Sequence, residues 1–75
     1  MNNNNNNNMT QLVYTYEQLN GKKVMISLLE DNGEGGYDES IEGMHINSLL
    51  DYQELELTIS DYDNMGILDE YWVVE

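Results

Sequence analysis

Apolar and polar positions alternate along residues 54–60, with Leu55, Leu57 and Ile59 set against Glu54, Glu56, Thr58 and Ser60. A period of two places each set on one face of a strand, so this segment predicts the cleanest strand in the chain. Residues 67–74 predict a last strand, with Tyr71, Trp72, Val73 and Val74 giving it β character. Residues 61–66 form the turn between the two. Near the start, residues 12–18 alternate less regularly but hold Val13, Tyr14, Thr15 and Tyr16, all strand formers. Asn20-Gly21 follows, a pair that accepts the positive φ of a tight hairpin turn. Residues 22–29 supply an apolar, β-branched return strand, so the first unit is expected to be a hairpin. Residues 30–36 hold three glycines in seven positions and read as a loop. Residues 37–44 then predict a short strand, with Ile41 and Met44 as its apolar positions.

One segment departs from the period of two. Residues 47–52 predict a short helix, capped by Ser48, with Asp51 three residues on in the position of a capping-box partner. Ile46, Leu49, Leu50 and Gln53 would share one side of it. Apolar side chains on a helix beside a sheet usually face the core, so Leu49 and Leu50 are expected inside, and Ile41 on its strand with them. The predicted order is ββ–β–α–ββ. The fold class is α+β, a small antiparallel β-sheet with one short helix.

Length adds a constraint. The chain has 75 residues, enough for one domain. Residues 1–8, a methionine and seven asparagines, offer no apolar face and are expected to be a disordered tract. The single acidic domain is then 9–75. So short a chain buries a thin core. With no cysteine, disulfides and zinc–thiolate sites are excluded. Pairing with a second copy is the remaining way to enlarge the core, and a homodimer is expected. The apolar runs are too short to cross a membrane, and no basic-then-apolar leader is visible. A cytoplasmic protein is expected.

Charge changes the picture most. Fifteen Asp and Glu face two basic residues, Lys22 and Lys23, for a net charge of −13. Disorder is not the reading, because the chain is 40% apolar and carries six tyrosines and a tryptophan. Direct binding to nucleic acid is disfavoured, since that is driven by basic residues that displace counterions from phosphates. Imitating nucleic acid is another matter. Alternate residues on one strand face lie roughly 6.6 Å apart, the same order as the axial rise of about 3.4 Å between phosphates of one DNA strand. Glu54 and Glu56 would form such a pair.

Other chemistry is hard to assemble. Asp31, Gly36 and Glu42 fall at positions one, six and twelve of an EF-hand-like loop, but Gly33 and Gly35 stand where oxygen ligands are needed. His45, the single histidine, cannot make a zinc site alone. Ser40 has no neighbouring base in the sequence to activate it. No set of catalytic roles can be completed, so the chain is read as a non-enzyme with no cofactor and no metal.

A resemblance gives the acidic reading a direction. Leu28-Leu29-Glu30-Asp31-Asn32, then Tyr37-Asp38-Glu39, then Gly43-Met44-His45-Ile46-Asn47 resemble, without a gap, the small uracil-DNA glycosylase inhibitors of Bacillus podophages. Those carry a Leu-Leu, an acidic-Gly loop, a Tyr-x-Glu strand and Gly-Leu-Ser-Leu-Ser entering a helix. Glu39-Ser40-Ile41 is also the tripeptide that other, differently folded glycosylase inhibitors present to the enzyme. The resemblance implies a DNA-mimicking homodimer that occupies the enzyme's DNA-binding groove. It also implies an apolar pocket for the side chain on the loop that probes the minor groove. Glu39 matches the family's strand glutamate. Leu49 or Tyr52 would stand for the family's helix aromatic, a phenylalanine, a residue this chain lacks.

The partner-binding residues expected on this basis are Glu39, Ser40, Ile41, Glu42, Ile46, Leu49 and Tyr52. The partner is uracil-DNA glycosylase in an infected bacterial cell. Two rivals stand beside it. One is an acidic mimic aimed at restriction or CRISPR machinery, because Ile59-Ser60-Asp61-Tyr62 and Gly66-Ile67-Leu68 loosely resemble acidic antirestriction proteins. The other is an acidic adaptor with no DNA-mimic role.

Overall fold

A computed structural model of the chain describes residues 12–75. The polyasparagine tract and the first residues assigned to the domain lie outside the described residues. The element order is α1 (Tyr16–Leu19), β1 (Lys22–Asp31), β2 (Tyr37–Ile46), α2 (Leu49–Asn64) and β3 (Leu68–Val74). The three strands form one antiparallel sheet in the order β2-β1-β3, so the fold is α+β, as the pattern predicts.

β1 is the central strand and the most buried of the three. Its alternate residues Val24, Ile26 and Leu28 are buried, and with Leu19, Ile46, Leu55 and Ile59 they make the core. Two strands pair with β1 across its whole length or most of it. With β2 the register runs unbroken from Lys22↔Ile46 to Asp31↔Tyr37. With β3 it runs from Lys23↔Val74 and slips at Ser27/Leu28, where β3 bulges.

The predicted hairpin at residues 12–29 does not form. Thr15 and Gln18 instead close a capping box: the Gln18 amide donates to Thr15 Oγ1 at 3.3 Å, and the Thr15 amide donates to Gln18 Oε1 at 2.8 Å. That box opens α1. Asn20-Gly21 turns the chain from α1 into β1, with Gly21 at φ +83° and its amide donating to the Ile46 carbonyl at 2.6 Å. The true hairpin is β1–β2, closed by the glycine-rich loop. There Asn32 Oδ1 accepts from the Glu34 amide at 2.8 Å, and Asp31 Oδ1 accepts from the Gly33 amide at 2.9 Å. Of the side-chain oxygens weighed for calcium, that of Asp31 is thus turned onto the loop's own backbone.

The predicted strand at 54–60 is helix. α2 starts at the expected cap, where the Asp51 amide donates to Ser48 Oγ at 3.2 Å. The Asp51 carboxylate accepts from the Asn47 amide at 2.9 Å. The helix then continues for 16 residues. It ends where Gly66, at φ +78°, lets its amide donate to the Asp63 carbonyl at 3.0 Å and that of Ile67 to the Tyr62 carbonyl at 3.1 Å. Those two bonds are the Schellman pattern. Leu55 and Ile59 are one turn apart and buried, whereas Leu57 is exposed. Glu54 and Glu56 therefore project from different sides of a helix, and the phosphate-like spacing expected of them does not exist.

Three further expectations change with this helix. Leu49 and Leu50, expected in the core, are 53% and 65% exposed, because the face that meets the sheet runs through Leu55 and Ile59. Ile41 is likewise on the surface. Among the described residues no helix is long and apolar enough to cross a membrane.

Candidate interaction surface

Both helices pack on one side of the sheet, since Leu19 of α1 and Leu55 and Ile59 of α2 share the core with Val24, Ile26 and Leu28. The odd-numbered residues of β1 point the other way. Register aligns Lys23 with His45 and Val74, Met25 with Gly43 and Trp72, and Ser27 with Ile41 and Glu70; Leu29 lies opposite Glu39. Among the described residues no element covers this second face. Leu29, Ile41, Trp72 and Val74 are exposed on it, Trp72 to 37%. Gly43 leaves room there: a Cβ at that position would stand 2.6 Å from Lys23 Cε and 3.1 Å from Met25 Sδ. The Lys23 and Met25 side chains thus lie across the strand that a larger residue would lift them from.

Ser27 sits at the middle of this face and is only 2% exposed. Its Oγ lies 3.1 Å from Asp69 Oδ2 and 3.4 Å from Glu39 Oε2. A hydroxyl has one hydrogen to donate, so it can satisfy one of these two carboxylates at a time. Asp69 reaches it through the bulge that adds a residue to β3 at this point.

The strand β2 forms one edge of the sheet, and its residues from Tyr37 through Gly43 are all exposed. Tyr37, Glu39 and Ile41 lie on the open side; Asp38, Ser40 and Glu42 lie on the helix side. Glu30 stands directly opposite Asp38, a like-charge pair that costs stability. The two lysines that would relieve it are elsewhere. Lys22, Lys23 and His45 line a depression of about 280 Å³ at the other end of the sheet, together with Gly21, Asn47, Val74 and Glu75. Lys22 Nζ meets Glu75 Oε2 there at 3.3 Å.

Glu42 is held by the Tyr62 hydroxyl, which donates to its Oε2 at 2.7 Å. That bond, with some burial and the charge of Glu42 and Glu30, raises the Tyr62 pKa above its ordinary value. A raised phenol favours the folded state below the unfolded pKa of about 10, and loses that contribution as pH climbs through the folded value. Tyr52 is raised too, by burial first and then by Glu56 and Glu17. The urea midpoint should therefore fall above about pH 10, and Tyr62→Phe should make that fall shallower without removing it. An unchanged alkaline limb in the variant would show that the Tyr62–Glu42 bond contributes nothing.

The expected contact residues separate into three groups. Glu39, Ser40, Ile41 and Glu42 stay together on the exposed edge strand. Leu49 lies on the surface of the first turn of α2. Ile46 and Tyr52 do not fit a contact role. Ile46 is 0% exposed, because it ends β2 on the core side opposite Lys22. Tyr52 is half-buried in a tyrosine cluster: its hydroxyl donates to the Tyr14 carbonyl at 2.7 Å, and its ring meets Tyr16 edge-on at 6.0 Å. Sequence reasoning missed Met25, Asp69 and Trp72. The period of two through Tyr71, Trp72, Val73 and Val74 held the signal, since Tyr71 and Val73 pack against the core and leave Trp72 and Val74 outside.

No family model, curated protein or solved structure matches this chain.

Proposed function

We propose that the chain is an acidic DNA mimic that inhibits uracil-DNA glycosylase by occupying its DNA-binding groove. It would act in the cytoplasm of an infected bacterial cell as a homodimer joined through the β3 side of the open face, around Trp72 and Val74, which leaves Glu39 and Ile41 of β2 free for the enzyme. The observation that carries this reading is β2. Seven successive exposed residues present acids on both sides of an edge strand, next to a Glu30↔Asp38 pair with no cation opposite either. A surface that accumulates like charge at a cost to its own stability is complementary to a basic groove. Glu39 and Asp69 share one hydroxyl, which leaves carboxylate lone pairs for a guanidinium or ammonium of the partner. Ile41 beside them supplies an apolar contact at the centre of the patch, where interface energy concentrates.

Purified protein should block uracil excision by a bacterial glycosylase and compete with DNA for the enzyme. Excision that proceeds unchanged at large molar excess overturns the reading. The same acidic strand would suit a mimic aimed at restriction or CRISPR enzymes, and that outcome leaves excision untouched while blocking those nucleases.

Within the complex, Glu39→Ala should raise the dissociation rate, at a cost of about 1–3 kcal/mol, because groove donors are left buried and unpaired. Glu17→Ala, at an exposed position of α1, should slow association and leave dissociation alone, since peripheral charges mostly steer encounter. Equal dissociation rates for the two variants, measured by surface binding kinetics, would remove Glu39 from the contact set.

A further inference from the structure

The sheet has two edges, and they are not alike. The β3 edge is seven residues long and is interrupted by a bulge at Ser27/Leu28. Bulges of this kind spoil an edge as a template for another strand. The β2 edge runs ten residues with no register shift. The chain has no proline, and β2 carries neither a lysine nor a bulge, so of the usual devices that blunt an edge only acidic charge is present. Among the described residues no element pairs with its outer side.

What β2 carries instead is acid, and acid discriminates between partners. A second copy laid antiparallel about Ser40 would set Asp38 against Glu42 at both ends of the pairing, in chains of net charge −13 each. Like charges across a strand pair repel. A basic strand meets the opposite situation. Asp38 and Glu42 lie on one side of β2 and Glu39 on the other, so lysines or arginines at alternate positions find a carboxylate whichever way the incoming strand is phased.

We propose that the outer edge of β2 takes up an extended, lysine- or arginine-rich segment of a partner by strand addition. Main-chain hydrogen bonds would supply affinity and the flanking carboxylates would select for charge. The inference rests on β2 being the binding strand, as proposed above, but not on the enzyme named there. Its test needs no enzyme, so the two can fail separately.

The probe is an eight-residue peptide alternating lysine and valine, with blocked ends. Its control is the same peptide N-methylated throughout, equal in charge but unable to donate main-chain hydrogen bonds. Titrated into the full chain, the unmodified peptide should bind at least about tenfold tighter than the control. It should also slow amide exchange at alternate residues of β2. Glu39→Gln with Glu42→Gln should weaken it severalfold while the fold, read by circular dichroism, is kept. Equal affinity for the two peptides would mean attraction by charge alone and would overturn the proposal. So would protection that appears on β3 or on the open face rather than on β2. A β2 edge already protected from exchange before any peptide is added would overturn it too, by showing that another part of the chain occupies the edge.

Discussion

Leu55→Ala is expected to lower the stability of the protein by about 2–5 kcal/mol, the usual cost of emptying a buried leucine site. Leu57→Ala, two residues away, is expected to change it by no more than about 0.5 kcal/mol. The contrast follows from the helix. Leu55 is completely buried against β1 in a core of seven apolar residues, whereas the Leu57 side chain faces solvent. A domain this small has little stability to spare, so Leu55→Ala should be largely unfolded at room temperature or close to it. Urea denaturation at a fixed protomer concentration measures both variants. Two similar losses would mean that residues 54–60 present Leu55 and Leu57 to the same environment, as a strand would, and that α2 is wrong.

The second large effect is expected at Trp72. If the β3 sides of two open faces meet, this residue lies within the joint surface, beside Met25 of the central strand. Aromatic residues at such positions commonly carry at least about 2 kcal/mol of binding energy. Trp72→Glu should weaken the dimer by at least about thirtyfold, and more to the extent that the new carboxylate is buried without a partner. Sedimentation should then show a monomer at micromolar concentration. Trp72→Ala should shift the equilibrium in the same direction by less. Neither change touches the helix-covered core, so far-ultraviolet dichroism should keep its shape. A dimer that survives Trp72→Glu would place the interface elsewhere; a wild-type monomer would remove the homodimer from the proposal and leave β2 to act alone.

For β2, much was legible in advance. Residues 37–44 read as a short strand from their length and composition, with Ile41 and Met44 as its apolar positions, and β2 extends that range by two residues. The loop at 30–36 was marked by its glycines, and the last strand by its aromatic and β-branched run. What was not legible was which side of β2 would be covered. Ile46 and Ile41 are the same residue type on the same strand, yet one is core and the other surface. An odd separation along a strand puts them on opposite faces, and only the docking of α2 decides which face is inside.

The sequence by itself determined the α+β class, the strands at 22–29, 37–44 and 67–74, the cap at Ser48 and a strongly acidic charge. These rest on local chemistry: β-branched and aromatic runs, glycine, a serine that can satisfy a free amide, and a count of carboxylates. Tertiary structure decided the rest. Residues 54–60 satisfy a period of two through Leu55, Leu57 and Ile59. They equally satisfy a helical stripe through Tyr52, Leu55, Ile59 and Tyr62. Seven residues cannot separate the two. The longer stripe prevails because it gives β1 a face to pack on, with Ser48 and Gly66 closing both ends. Thr15-Tyr16-Glu17-Gln18 holds a capping box that its strand-forming neighbours conceal. It becomes α1 because Leu19 and the tyrosines find partners on α2 and β3. In each case local propensity was divided, and the burial of apolar surface, which is larger and not local, settled the outcome.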